Sequence, residues 1–501
     1  SNYGDLLLRA MGQTLLLALC GLLFGTLLGM IFGAIPGLTG TLAVIILIPM
    51  TYKMTTDAGV ALLIGAYVGG MSGGFVSSIM LNMPGTPSDV ATCYDGFPLA
   101  QQGKAGRAMG VGILANLTGS IFGWIALLFF GGILSKVAMS FGVFETTAAI
   151  LFGFTAVISL GGVSISKSLI SALLGLTLCC IGYDTGTGVP RATFGSAFLK
   201  SGFDYMPVMI GMFVLTEILS QVEQISNKYV VPKQELTNLW PNIGELVKEI
   251  PNFVRSCFIG VAIGMLPGIG GSFSNFVSYD QAKKHSRNPE EYGHGAIGGI
   301  IATQACTKAT IGGALVPFIA LGIPGDTITA ALLGGLMIKG ITPGPLFAME
   351  HPDTANTIYN SVLLAGVLVF LIMITIGLKF FPQILRLPKY ILLPVVTIFA
   401  LVGTYNMNFA VSDVWVAIIF AVFGFLMDKF GIPKTPLVVA MILGPNFESK
   451  LRSAISLGKG SLLPFITRPY SLIFILATIF TVVFPLVRKV MAQKNLRAEE
   501  T

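Results

Sequence analysis

Lys308 is the residue whose type and position point most directly to chemistry. It stands in a stretch from Ala302 to Gly325 that holds no other charged side chain. An ammonium inside a membrane is costly unless it faces a cavity or a partner, so a role in function is the first interpretation. The alternative is that the side chain reaches the membrane surface and keeps its charge in water. Glu217 is placed similarly, but nearer to the end of its apolar segment.

Short polar side chains surround a Pro-Gly pair at two positions in the sequence. Proline removes a backbone donor and glycine loosens a helix, so each pair leaves polar backbone groups unbonded at membrane depth. Half-helix N-termini beside such breaks attract anions. The predicted substrate-binding residues are Asn82, Pro84, Gly85, Thr86, Ser88, Lys308, Pro324, Gly325, Asp326 and Thr327. Asp326 has an alternative role as the N-cap of a following helix.

A second kind of Pro-Gly break occurs earlier in each half of the chain. Unwound carbonyl groups at such breaks can coordinate Na⁺ in transporters. We therefore predict re-entrant tips that contribute to an ion site. The residues are Pro36, Gly37, Thr39, Gly40, Pro267, Gly268, Gly270 and Ser272.

The breaks occur in the same order in both halves. Gly29-x3-Gly33-x2-Pro36-Gly37-x2-Gly40 recurs with equal spacing as Gly260-x3-Gly264-x2-Pro267-Gly268-x2-Gly271. Gly73-Gly74 precedes Pro84-Gly85 by nine residues, and Gly312-Gly313 precedes Pro324-Gly325 by ten. Matched breaks in two halves predict homologous, inverted repeats with a binding site at their interface. The alternative is a duplicated bundle in which the Pro-Gly pairs are ordinary tight turns.

Two runs of glycine spaced by four residues support close packing around the breaks. They are Gly21, Gly25, Gly29 and Gly33, and then Gly65, Gly69 and Gly73. Each run forms one small face of a helix. Ordinary tight helix contact is the preferred interpretation, and a sliding surface is the alternative.

These elements belong to a chain with the composition of an integral membrane protein. Of 501 residues, 54% are hydrophobic and 11% are charged, whereas a soluble domain has about 25% charged residues. We predict an all-α polytopic fold with about 10 to 14 spans, some of them broken or re-entrant. The predicted divisions are a first membrane repeat at 1–222, a polar linker at 223–250, a second membrane repeat at 251–465, and a C-terminal span with a basic tail at 466–501. The basic tail predicts a cytoplasmic C-terminus.

Signatures of other functions are missing from the sequence. Gly458-Lys459-Gly460 lacks the Ser or Thr of a P-loop, and neither His-Glu-x2-His nor Gly-x-Ser-x-Gly occurs. The six cysteines form no Cys-x2-Cys pair. Basic residues do not cluster with aromatic ones, so nucleic-acid binding is not expected. We predict that the protein is not an enzyme and has no cofactor.

The sequence resembles the large membrane subunit of the tripartite tricarboxylate transporters, the TctA type. The motifs are Gly33-Ala-Ile-Pro-Gly-Leu-Thr-Gly40, Asn82-Met-Pro-Gly-Thr86, Asp95-Gly-Phe-Pro-Leu-Ala-Gln-Gln-Gly-Lys-Ala-Gly-Arg107, Gly264-Met-Leu-Pro-Gly-Ile-Gly-Gly271, Leu321-Gly-Ile-Pro-Gly-Asp326 and Lys339-Gly-Ile-Thr-Pro-Gly-Pro345. The resemblance covers nearly the whole chain. It implies a multi-pass protein of the bacterial inner membrane with an elevator-type arrangement.

The same resemblance implies ion-coupled secondary uptake of small organic di- and tricarboxylates such as citrate, with Na⁺ preferred over a proton as the coupling ion. The implied partners are a small membrane subunit, a periplasmic substrate-binding protein, the carboxylate and the lipid bilayer, with no nucleic acid. The alternative function is a stand-alone anion carrier or channel that needs no periplasmic partner. A structural scaffold is a third class.

Overall fold

The computed structural model describes residues 2–160, 164–184, 187–223, 239–267, 270–385 and 389–481. Most of the predicted linker, Gly268 and the basic tail lie outside these ranges. The helices of the first half are α1 (Asn2–Ala34), α2 (Gly40–Thr51), α3 (Thr56–Leu81), α4 (Cys93–Leu99), α5 (Ala105–Ala138), α6 (Val143–Leu160), α7 (Ile165–Cys179), α8 (Ala197–Lys200), α9 (Tyr205–Met209) and α10 (Thr216–Glu223).

The second half is likewise helical over its described residues. Its helices are α11 (Ile243–Lys248), α12 (Ile250–Gly264), α13 (Gly270–His285), α14 (Ile297–Leu321), α15 (Thr327–Ile338), α16 (Phe347–Glu350), α17 (Pro352–Ile372), α18 (Leu378–Ile384), α19 (Lys389–Asn408), α20 (Val411–Lys429), α21 (Thr435–Leu457), α22 (Leu463–Thr467) and α23 (Pro469–Thr481). Two short antiparallel strands, β1 (Gly182–Tyr183) and β2 (Pro190–Arg191), pair in the loop after α7.

The described residues form an all-α polytopic membrane protein, as predicted. Eight of their helical stretches are long and apolar enough to cross a membrane: Leu16–Ala34, Thr56–Leu81, Cys93–Ala138, Tyr205–Glu223, Ile297–Leu321, Pro352–Phe381, Tyr390–Asn408 and Val411–Lys429. The apolar helices α2, α7, α12, α15 and α23, and the apolar part of α6, are shorter. The total number of crossings, 10 to 14, stays a prediction because it depends on these shorter helices.

The glycine runs pack α1 directly and in parallel against α3. A Cβ atom on Gly25 would collide with the carbonyl oxygen of Leu62, and one on Gly33 would collide with that of Gly70. From the other side, a Cβ on Gly73 would collide with the Met30 carbonyl oxygen. Glycine is therefore required for backbone contact, as the preferred interpretation of close helix packing predicts.

Helices α12 and α14 of the second half make the matching contact. Gly260 lies against the carbonyl of Cys306, and Gly313 against that of Val261 and the Cα of Gly264. Gly73 meets Gly33 in the same way. Gly73 therefore corresponds to Gly313, whereas the glycine pairs in the sequence predict that it corresponds to Gly312. With this correction, the one-residue difference in spacing disappears.

The short helix α2 turns back from the first Pro-Gly break. Gly40 at its start lies against Gly70, and Thr51 at its end lies against Gly59, so α2 runs antiparallel to α3. Its 12 residues reach about 18 Å, less than the roughly 30 Å of a hydrocarbon core. The break consequently places the start of α2 beside the middle of α3.

Candidate functional site

Lys308 lies where α14 crosses α3. Its ammonium donates to the Val68 carbonyl oxygen at 2.9 Å and to the Ser72 hydroxyl. The side chain is 1% exposed. Lys308 is therefore an interior cation held by α3, and the interpretation that its side chain reaches the membrane surface is wrong.

The chain leaves α3 and α14 by the same turn. Asn82 (φ 55°, ψ 32°) and Gly322 (φ 71°, ψ 18°) are both left-handed at the C-terminal end of their helices. The next amide returns to the helix in each case: Met83 N–H donates to the Ser77 carbonyl at 3.4 Å, and Ile323 N–H to the Pro317 carbonyl at 3.3 Å. Asn and Gly are the residues that most readily adopt this conformation, which ends each helix before its Pro-Gly pair.

A threonine and an aspartate follow each of these breaks, in opposite order. Thr86 Oγ1 donates to Asp89 Oδ2 at 2.5 Å. In the second half, Asp326 Oδ1 accepts from the Thr329 backbone N–H at 2.7 Å and from its hydroxyl at 2.9 Å. This reciprocal capping box confirms the alternative role of Asp326 as the N-cap of α15. Its other oxygen accepts from Tyr67 Oη at 2.6 Å.

The four break segments meet crosswise between the halves. Thr41 Oγ1 lies 3.2 Å from Thr327 Oγ1, and the start of α2 packs on Ile328. Asn275 on α13 donates its amide to the Ser88 carbonyl, beside the contact of Gly271 with Ser88. The structure thus joins segment 39–41 to 326–328, and 86–88 to 271–275. The sequence, by contrast, predicts a substrate site formed by 82–88 with 324–327 and ion-binding tips formed by 36–40 with 267–272.

Exposure divides the predicted substrate residues into two sets. Asn82, Pro84 and Thr327 are exposed, and Asp326 is partly exposed. The buried members are Gly85, Thr86, Ser88, Lys308, Pro324 and Gly325. The exposed residues are accessible at the surface of the protein, whereas the buried residues other than Lys308 shape the breaks.

The first break is contacted by a residue that the sequence did not single out. Gly37 has φ +91°, and a Cβ there would overlap the side-chain amide of Gln221. Gln221 donates to Glu217 Oε1 at 3.0 Å, so Glu217 is brought near this break. Thr39 caps α2, accepting from Leu42 N–H at 3.4 Å, and Pro36 and Gly40 complete the turn.

The equivalent break before α13 is described only in part. Pro267 is buried, Gly270 begins α13, and Ser272 is partly buried. Gly268 lies outside the described residues. The role of these four positions in an ion site stays a prediction.

The sequence also does not predict a buried polar network beside the Pro84-Gly85 break. Gln304 on α14 donates to Asp89 Oδ1 at 3.0 Å and to Thr92 Oγ1 at 2.7 Å. Asn116 on α5 donates to Gln304 Oε1 at 3.3 Å. The three-residue spacing of Thr86 and Asp89 could have indicated the first contact, but nothing local in the sequence indicates the others.

Asp95, which lies within one of the motifs, accepts hydrogen bonds from the backbone before α14. Its Oδ1 accepts backbone N–H bonds from Gly293, Gly295 and Ala296 at 2.7, 3.0 and 2.9 Å. These groups precede the first turn of α14, so a negative charge here stabilises the start of that helix. Asp95 thereby links α4 to the loop before α14 by hydrogen bonds.

Comparisons with known proteins identify two similar sequences. Two relatives from Agrobacterium vitis are named by their positions in the genome. The chain is 30% identical over 461 residues to an uncharacterized 52.8 kDa protein in the TAR-I ttuC' 3' region, covering 92% of this chain and 91% of that protein. It is 33% identical over 211 residues to an uncharacterized protein in the TAR-II ttuC' 3' region, covering 42% of this chain and 86% of that one. No solved structure matches the chain significantly.

A family match extends over most of the sequence. Residues 19–439 match the tripartite tricarboxylate transporter TctA family. The matched range includes the four breaks, Lys308 and the buried network around Asp89. The chain therefore belongs to the TctA family, and it is the large membrane subunit of a tripartite tricarboxylate transporter.

Proposed function

We propose that this protein is the Na⁺-coupled membrane component of a binding-protein-dependent uptake system for small organic di- or tricarboxylates. The observation that carries the proposal is Lys308, a fully buried cation at the crossing of the two helices whose ends break. Two of its three N–H donors have partners on α3. The third is available to a carboxylate oxygen, which gives a charge-assisted hydrogen bond.

Helix termini add positive potential around this position. The N-termini of α2 and α15 meet where Thr41 contacts Thr327, and the N-terminus of α13 meets Ser88. Aligned peptide dipoles at such termini favour anions, and the caps Thr39 and Asp326 each occupy one of the N–H groups of α2 and α15. The exposed hydroxyl of Thr327 and the amide of Asn82 then supply uncharged contacts.

The proposed arrangement of the molecule is a pair of inverted repeats that alternate access by an elevator-type movement. Matched turns at Asn82 and Gly322, and matched contacts of Gly73 and Gly313, support the duplication. The unwound segments 36–40 and 267–272 are proposed to help bind Na⁺. The proposed location is the bacterial inner membrane, where a small membrane subunit and a periplasmic substrate-binding protein complete the system.

Uptake by proteoliposomes tests this function. The protein is reconstituted with its small membrane subunit, and labelled citrate or another carboxylate is presented on the loaded binding protein. We expect uptake driven by an inward Na⁺ gradient and none with an equal K⁺ gradient. Omission of the binding protein should abolish uptake, and uptake that persists without it would favour a stand-alone carrier. Absence of flux for every carboxylate under Na⁺ and proton gradients would refute the proposal.

A further inference from the structure

The segment that leads into α12 exposes a line of large apolar side chains. The residues of this line are Trp240, Ile243, Val247, Ile250, Val254 and Phe258. Within α11 and within α12 they recur every four residues, which places them on one face of each helix. Ile243 is 78% exposed, more than any other member of the line. A contiguous apolar surface of this kind indicates contact with a partner or with lipid.

Other groups of the same segment are packed against the protein. Glu245 forms an ion pair with Arg107, close to the start of α5. A Cβ atom on Gly110 would collide with the Leu239 carbonyl oxygen, so the backbone just before α11 lies directly on α5. Leu246 is partly buried against the apolar core. The segment is therefore held in place on α5, and the apolar line is the part that the protein leaves uncovered.

Two contacts give the depth of this segment in the membrane. The spanning helices α5 and α14 cross where Gly119 lies against Lys308, near the middle of both helices. Gly110 and Arg107 precede Gly119 by nine and twelve residues, which is about 14 and 18 Å along α5. Half of a hydrocarbon core is about 15 Å thick. Segment 239–245 thus lies where hydrocarbon meets headgroups, on the face of the membrane at which α5 begins.

Helix α11 runs across α5 and not along it. Leu239 and Glu245 are six residues apart, but they contact positions on α5 that are only three residues apart, about 4.5 Å. Helix α12 then turns into the membrane. Ile250 at its start is ten residues, about 15 Å, before Gly260, which lies against Cys306 near the middle of α14. Helix α11 therefore lies close to the membrane plane, at the depth where α12 enters.

We propose that α11 is an interfacial anchor, with Trp240, Ile243 and Val247 inserted among the lipids of this leaflet. Tryptophan is enriched at this depth because its ring is apolar and its N–H can still reach water. A helix with one apolar face and charged residues beside it, here Glu245 and Lys248, lies in the interface. The line continues onto the exposed face of α12, so lipid covers both helices. The anchor holds the start of α12 at a constant depth, whatever the protein transports.

Quenching of fluorescence by brominated lipids tests the anchor in the full-length protein, reconstituted in phosphatidylcholine vesicles. The acyl chains carry bromine either near the headgroup or near the chain end. Replacing Trp124 and Trp415 by phenylalanine leaves Trp240 as the only tryptophan. Because an interfacial helix is buried about 5–10 Å, we expect bromine near the headgroup to quench Trp240 about twofold more strongly. A protein with Trp415 alone is the positive control, since that side chain is exposed on the spanning helix α20.

Substitutions within the line test whether its apolar side chains cause the insertion. Ile243→Asp and Val247→Asp each place a charge where the anchor meets lipid, and we expect most of the Trp240 quenching to be lost with a shift of its emission to longer wavelength. Both side chains are largely exposed, so a wild-type Tm in detergent should confirm that the variants fold. Lys248→Gln, outside the line, is the matched control and should leave the quenching unchanged.

Four results would overturn the anchor. Absence of Trp240 quenching by either lipid, while Trp415 is quenched, would place α11 in water. Stronger quenching from the chain end would place it within the hydrocarbon. Wild-type quenching in both aspartate variants would show that the apolar line does not hold the segment. Quenching that disappears when the small membrane subunit is added would assign the line to contact with that protein.

Discussion

At the residue scale, Lys308 is the group whose removal should most directly weaken substrate binding. Lys308→Met removes the ammonium and its hydrogen bonds to the Val68 carbonyl and the Ser72 hydroxyl, while the Ser72 hydroxyl still donates to the Val68 carbonyl. A hydrogen bond to a charged group contributes about 1.5–3 kcal/mol, so we expect an increase of roughly tenfold or more in the Km for carboxylate uptake. Lys308→Arg is the comparison, since it keeps the charge but not the shape. Unchanged Km and rate in Lys308→Met would remove this residue from the site.

Asp326 should behave as a structural cap. Asp326→Ala deletes the acceptor of Thr329 and of Tyr67, and loss of an N-cap costs about 1 kcal/mol. Asp326→Asn keeps an oxygen for the Thr329 N–H, because Asn is an equally good N-cap. We expect a lower Tm for Asp326→Ala than for Asp326→Asn in detergent. Equal values would show that capping of α15 contributes little.

Some residues of the candidate site could not be predicted from the sequence alone. Lys308 and the Pro-Gly pairs are local signals, because a charge or a lost donor in an apolar run is conspicuous by itself. Asp89 follows Thr86 by three residues, but its hydrogen bond from Gln304 joins positions that are 215 residues apart in the sequence. Gln221 against Gly37 is another long-range contact. Such contacts are set by helix packing, which no local pattern encodes.

At the element scale, the glycine face of α1 should tolerate no side chain. In Gly33→Ala, the added Cβ would collide with the Gly70 carbonyl, so α1 and α3 must move apart. Overpacking of this kind costs about 1–3 kcal/mol. Gly132→Ala on α5 is the control, because a Cβ there has no atom within 4 Å and alanine favours the helix. We expect a fall in Tm for the first variant only. A normal Tm for Gly33→Ala would mean that the contact is loose.

The positions of the helix breaks were predictable, but their partners were not. Proline and glycine act on their own backbone, so the ends of α1, α3 and α14 could be placed within a few residues. The predicted grouping put the breaks of like kind together. The crosswise contacts of Thr41 with Thr327 and of Asn275 with Ser88 arise because α2 and α13 turn back after their breaks. Helix α2 is only 12 residues long.

At the scale of the whole molecule, Val68 and Lys308 occupy matching positions in the two halves of the chain. Val68 and Lys308 are 240 positions apart, as are Asn82 and Gly322, which make the same turn. In the proposed inverted repeats, residues at matched positions that contact each other would lie beside the axis relating the two halves. Lys308 would then break that symmetry at its centre, where valine stands in the other half. One central cation is consistent with one substrate shared by both halves.

The excess of basic residues around the start of α5, against the single Lys136 in its last turn, predicts the orientation of the molecule. Lys104 lies at its start, where Gln102 contacts the loop after Lys283, Lys284 and Arg287. Basic loops remain in the cytoplasm. Helix α5, with 34 residues, is about 50 Å long, so Ser140 lies on the opposite face.

Cysteine labelling measures this orientation in a protein whose six cysteines have been replaced. We expect a membrane-impermeant maleimide to label Ser140→Cys in intact spheroplasts, because that residue is exposed beyond the far end of α5. Arg287→Cys should react only in inside-out vesicles or after permeabilisation. The reverse pattern would invert the molecule, and the carboxylate would then have to be delivered to the face that carries the basic loops.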